Sequence, residues 1–109
     1  MAIDFKNILS QLKKGITNLA ESSLKEYVAA ATTDGQAILA ELKDDLETWT
    51  KQLAEGDISK ADFADLVLGQ ADELKLVALK QAGLTEVRAN QFKSDVVNTI
   101  TTTVTELVP

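Results

Sequence analysis

The chain has 109 residues, with 11 Lys and Arg against 17 Asp and Glu for a formal charge of −6, and it contains neither Cys nor His. Without Cys there are no disulfides, thiolate zinc sites, iron–sulfur clusters or Cys nucleophiles, and without His the commonest general base and transition-metal ligand are missing. At 45% apolar and 26% charged residues, the length suits a single helical domain over 1–109 with a packed core, not a disordered chain.

The sole Pro is the last residue, so nothing inside the chain forbids helix and glycine supplies the punctuation. The first segment, residues 4–31, opens at Asp4, whose carboxylate suits an N-cap, with Ile3 before it as the hydrophobic half of a staple. At 100° per residue, Phe5, Ile8, Leu9, Leu12, Ile16, Leu19, Ala20 and Tyr27 share one face, with Leu24 and Val28 at its edge. Thr32-Thr33-Asp34-Gly35 then reads as a turn. A second helix, 35–55, follows. Its Leu39, Leu42, Leu46, Trp49 and Leu53 alternate spacings of 3 and 4, Ile38 falls in the same arc, and Gly56 marks the stop.

A third helix is expected over 59–82, with Ser59 as N-cap, Ile58 as staple residue, Asp62 three positions on and Gly83 beyond the end. Phe63, Leu66, Val67, Ala71, Leu74, Val77 and Ala78 form its main face, whereas Leu68, Leu76 and Leu79 project outside it. The fourth helix, 85–107, starts at Thr85 and carries Ala89, Phe92, Val96, Val97, Ile100, Val104 and Leu107 on one broad face. Its stretch Asn98–Thr105 is rich in β-branched residues, which favour strands. Helix is still the better reading, because a lone strand has nothing to pair with and the apolar positions stay in phase. Connections this short make successive helices antiparallel. The expected fold is all-α, four amphipathic helices in an up-down antiparallel bundle, completed by oligomerisation where apolar surface is left over.

Charge is uneven along the chain. Residues 1–33 carry four Lys and three acids, for +1, whereas residues 34–57 carry two Lys and seven acids, for −5. With no concentrated basic stripe, phosphate counterion release offers nothing, so nucleic acid is not an expected partner. Glu41, Asp44, Asp45, Glu47 and Thr48 lie on one side of the second helix, a spacing that invites Mg²⁺ or Ca²⁺; a solvated acidic face explains them better, and no calcium-loop motif occurs. Asp62 and Asp65 lie one turn apart, as do Asp72 and Lys75, without a His or an opposed carboxylate to make acid–base chemistry. No phosphate-binding glycine loop or activated serine motif is present. No catalytic residue, metal or cofactor is expected. Gln52, Gln70 and Gln81 lie on or beside apolar seams, where an amide either fixes register or, more plainly, sits at the boundary and reaches water.

Two functional readings remain in front. The first is a non-enzymatic protein–protein interaction or structural module that buries Leu68, Leu76 and Leu79 against itself, as a homodimer, or against another protein. The alternative is membrane-surface binding by the first helix, where Lys6, Lys13 and Lys14 accompany the apolar face. An enzyme or small-molecule carrier with Tyr27, Trp49 and the seam glutamines around a cavity between helices ranks third. The N-terminal region lacks a signal-peptide core, no stretch approaches the roughly 20 apolar residues that span a bilayer, and absent Cys fits a reducing compartment. A cytoplasmic location is the resulting expectation.

Overall fold

The computed structural model describes residues 4–108, and every described element is helical. Ile3, the expected staple residue, lies outside the described residues. Helix α1 spans Phe5–Ser23 and is capped as its sequence suggests: the Asp4 carboxylate accepts the Asn7 N–H at 3.2 Å. Ile8, Leu12, Ile16 and Ala20, four residues apart each time, form its buried stripe. The helix ends at Leu24, whose backbone leaves the helical region at φ −132°, ψ 62° while its side chain is buried. Ser22 hydrogen-bonds back to the Leu19 carbonyl in this last turn, the kind of local competition through which serines loosen helices.

A 3-10 turn, Lys25–Tyr27, leads into α2, Val28–Glu55. The chain therefore turns at 24–27, and the stretch Thr32-Thr33-Asp34-Gly35, expected as the turn, lies inside α2. The expected boundary between 31 and 35 is corrected accordingly. Local propensity was overridden by tertiary packing. The Thr33 hydroxyl returns to the Ala29 carbonyl at 2.9 Å, while Asp34 and Gly35 are both buried against other helices. At 1.5 Å per residue the 28 residues of α2 run about 42 Å, nearly the whole 44 Å length of the molecule. Its end is a full Schellman motif. Gly56 sits at φ +80°, its N–H reaches the Leu53 carbonyl, and Asp57 N–H reaches that of Gln52.

Helix α3, Lys60–Asp72, begins with a reciprocal capping box. Ser59 Oγ accepts Asp62 N–H at 3.0 Å, and the Asp62 carboxylate accepts Ser59 N–H at 3.1 Å. The expected helix 59–82 does not continue past Asp72. It breaks over Glu73–Leu76, and a five-residue helix α4, Val77–Gln81, follows. Across the break burial alternates residue by residue: Glu73 out, Leu74 partly in, Lys75 out, Leu76 in, Val77 out. The backbone leaves the helix through a tighter turn, with Glu73 and Leu74 N–H bonded three residues back to Gln70 and Ala71 and Leu76 at φ −92°, ψ 77°, and this resets the phase of everything beyond it. Gly83, at φ +93°, closes α4 with a second Schellman pattern, through Gly83 N–H to Lys80 and Leu84 N–H to Leu79.

Thr85 caps the last helix, α5, Glu86–Leu107, by accepting Arg88 N–H. The β-branched stretch is helical, as expected, with Val96, Val97, Ile100 and Val104 buried. The four long helices close a ring in which α1 packs on α2 and α5, and α3 packs on the same two. Short connections make α1, α2 and α3 successively antiparallel, the arrangement of an up-down bundle, and residues 73–85 with α4 carry the chain on to α5. Its core runs through Leu12, Ile16, Leu39, Leu46, Phe63, Val67, Phe92, Val96 and Ile100, all buried to within 2%. Each such side chain contributes on the order of 1.5–3 kcal/mol by leaving water. Helix α4 lies on α2 and, less extensively, on α5.

Candidate functional site

The three leucines expected to form an interface separate in the structure. Leu68 is 44% exposed on α3, whereas Leu76 and Leu79 are buried, Leu79 completely. The correction follows from the break at 73–76. In a continuous helix Leu76 and Leu79 would point away from the core and Val77 into it; the reset phase turns both leucines inward and leaves Val77 55% exposed. Leu66, placed by periodicity on the buried face, is also exposed. The apolar surplus of the third segment is thus relocated: its exposed large apolar side chains are Leu66, Leu68 and Val77 in place of Leu68, Leu76 and Leu79.

The other singled-out residues are scattered. Glu41, Asp44, Asp45 and Glu47 are exposed on α2, and the Thr48 hydroxyl donates to the Asp44 carbonyl at 3.3 Å. Among the described residues no group of three or more acidic side chains is placed to hold a metal ion. Asp62 is occupied by its capping box and Asp65 is exposed, so the pair brings no convergent chemistry. Gln70 and Gln81 are exposed and Gln52 is half-buried, which fits boundary positions and not a register-setting seam. Tyr27 and Trp49 are half-buried parts of the core periphery, with the Arg88 guanidinium 5.7 Å above the Tyr27 ring.

What the structure does build is a cleft of about 950 Å³ where α3 ends, α4 crosses and α5 begins. Leu74, Leu76, Val77, Leu84 and Ala89 supply apolar lining, and the polar lining includes three acids, Asp72, Glu73 and Glu86, and three lysines, Lys75, Lys80 and Lys93. Lys93 reaches across from α5, its Nζ donating to the Leu74 carbonyl in the break, where the interrupted helix leaves an acceptor free. A smaller hollow of about 220 Å³ shares Asp72, Asn90 and Lys93 with the cleft and adds Leu68, Ser94 and Val97. Leu68 lines the smaller hollow and Val77 the cleft, and the two adjoin at Asp72, Asn90 and Lys93 to make a groove that spans the helix interruption.

Helix α4, which lines this groove with Val77, Lys80 and Gln81, is held by a residue far away in sequence. Asp34, 5% exposed in the interior of α2, accepts the N–H groups of Ala78 at 3.0 Å and Leu79 at 2.7 Å, one on each carboxylate oxygen. A five-residue helix cannot satisfy its own first N–H groups, and α2 supplies the cap from outside. Sequence reading missed both the cap and the groove. A signal for the second was present: Glu73-Leu74-Lys75-Leu76 alternates polar and apolar, the pattern of extended chain, in the middle of a helical period. No local signal marks Asp34 as the cap, because its partners lie 44 and 45 positions on.

The groove is of mixed character. It offers apolar surface framed by charges of both signs, and its hydroxyl, Ser94, has no His in this chain to activate it. The apolar stripe of α1, by contrast, is committed to the core through Ile8, Leu12 and Ile16. No helix among the described residues is long and apolar enough to cross a membrane. Comparison of the chain with protein-family models, curated proteins and solved structures returned no match.

Proposed function

We propose that the chain is a non-enzymatic helical interaction module that docks another polypeptide, a second copy of itself, through the groove between the α3–α4 break and α5. The observation that carries this reading is the placement of exposed Leu68 and Val77 in two adjoining hollows, with half-buried Leu74 between them in the chain. Exposed apolar side chains that are singly scattered need no explanation, but those gathered in a concave surface favour a partner. The equal numbers of acids and lysines around the cleft support a copy of the same chain as that partner, because in a two-fold interface each surface meets itself and must be self-complementary. The membrane-surface alternative draws no support from burial, since α1 would have to leave the bundle to present Ile8, Leu12 and Ile16 to lipid.

Amide NMR spectra recorded at rising protein concentration test the site directly. Shifts concentrated on Leu68, Leu74–Lys80 and Asn90–Val97 are the expected result. Spectra that do not change with concentration, or change only on the acidic face of α2, would contradict it.

A further inference from the structure

The segment from Glu73 to Leu84 is tied to the bundle differently from the rest of the chain. It packs on α2 and α5, and its one helix, α4, is five residues long. So short a helix has no stability of its own in water and exists only while docked. Docking rests on two kinds of contact. Leu76, Leu79 and Leu84 plug into the core, and two side chains hold the backbone: Lys93 at the Leu74 carbonyl, and buried Asp34 at the Ala78 and Leu79 N–H groups. Asp34 is a poor choice for the inside of a helix, where it competes with the backbone for hydrogen bonds. Its presence in α2 is explained by the tie to α4.

We propose that Glu73–Leu84 is a latched strap that forms one wall of the groove, with the Asp34 carboxylate as the latch. In the closed form the carboxylate satisfies two N–H groups that the strap cannot satisfy itself. In the open form those groups are hydrated, Leu79 leaves its socket on α2, and the groove becomes continuous with the bundle core. The four-helix ring closes without the strap's contacts, because α3 packs directly on α2 and α5, and α1 on the same two. Opening is therefore a local event, separable from unfolding. The inference concerns the strap alone and stands whatever occupies the groove.

Native-state hydrogen exchange tests it on the whole chain. The reporters are the amides of Lys80, Ala82 and Leu84, which are protected by the strap's own bonds to Leu76, Ala78 and Leu79 and not by Asp34. In the wild type they are expected to exchange faster than core amides such as Val96, with a weaker dependence on added denaturant. Asp34→Ala keeps α2 helical, since Ala is the better helix former, and is expected to speed the three reporters roughly 10- to 100-fold. Leu12→Ala, in the core of α1 away from the strap, is expected to speed Val96 but leave the reporters at their wild-type rates. Reporters that follow Val96 in both the wild type and Leu12→Ala would show that the strap opens only with global unfolding. Unchanged reporter rates in Asp34→Ala would remove Asp34 as the latch. Either result overturns the proposal, and the wild-type comparison decides the first point even if a variant does not fold.

Discussion

Asp34 and Gly35 have the composition of a turn and the burial of a core. Both disfavour helix, yet both sit inside α2 because each makes a tertiary contact that a better helix former could not. At Gly35 the contact is steric: an added Cβ would lie 2.5 Å from Ile16 Cγ2. Ile16 is branched at Cβ and fully buried, so it has no room to swing aside. Gly69, in the interior of α3, has nothing within 4 Å of the same position. The two glycines should therefore respond oppositely to alanine. Gly69→Ala is expected to stabilise by about 0.5–1 kcal/mol through helix propensity, and Gly35→Ala to destabilise by about 1–3 kcal/mol through overpacking. Urea denaturation of both variants checks the sign. Thr50 offers a third test at this scale. It is fully buried and its hydroxyl has no partner among the described residues, so Thr50→Val, which removes the orphan and keeps the shape, should gain about 1 kcal/mol.

At the scale of elements, what was legible in the sequence is what is decided by neighbouring residues. Asp4, Ser59 with Asp62, and Thr85 start helices through contacts three residues away, and Gly56 and Gly83 end them by entering a backbone region closed to other residues. The capping box is strong enough to test alone: Ser59→Ala should cost about 1 kcal/mol, measured as a lower thermal midpoint with an unchanged helical spectrum. Elements decided at long range were not legible. The turn at 24–27 competes with a four-residue stretch that looks more like a turn, and α4 depends on a cap from the middle of another helix. Once the α3–α4 break is missed, Leu76, Val77 and Leu79 are all assigned to the wrong side. The candidate site suffered most from this, because its residues are those whose orientation the break determines; Leu68, upstream of it, stayed where periodicity put it. Leu79→Ala should cost about 2–5 kcal/mol, as befits a fully buried leucine, and not the near-zero of an exposed one.

For the whole molecule, the formal charge of −6 is carried largely by the second quarter of the chain, whose acids Glu41, Asp44, Asp45 and Glu47 are exposed along α2. The groove has as many lysines as acids around it and is locally neutral. Two copies meeting through it would bring neutral surfaces together while their acidic sides repel, so added salt should strengthen their association by screening that repulsion. Self-association through one neutral, partly apolar groove is the central claim, and static light scattering across the micromolar range tests it most directly. The expected result is a mass rising toward twice 11.8 kDa with concentration in the wild type, and remaining at 11.8 kDa in the Leu68→Glu, Val77→Glu double variant. A wild-type mass of 11.8 kDa at every concentration, at low and high salt alike, would contradict it.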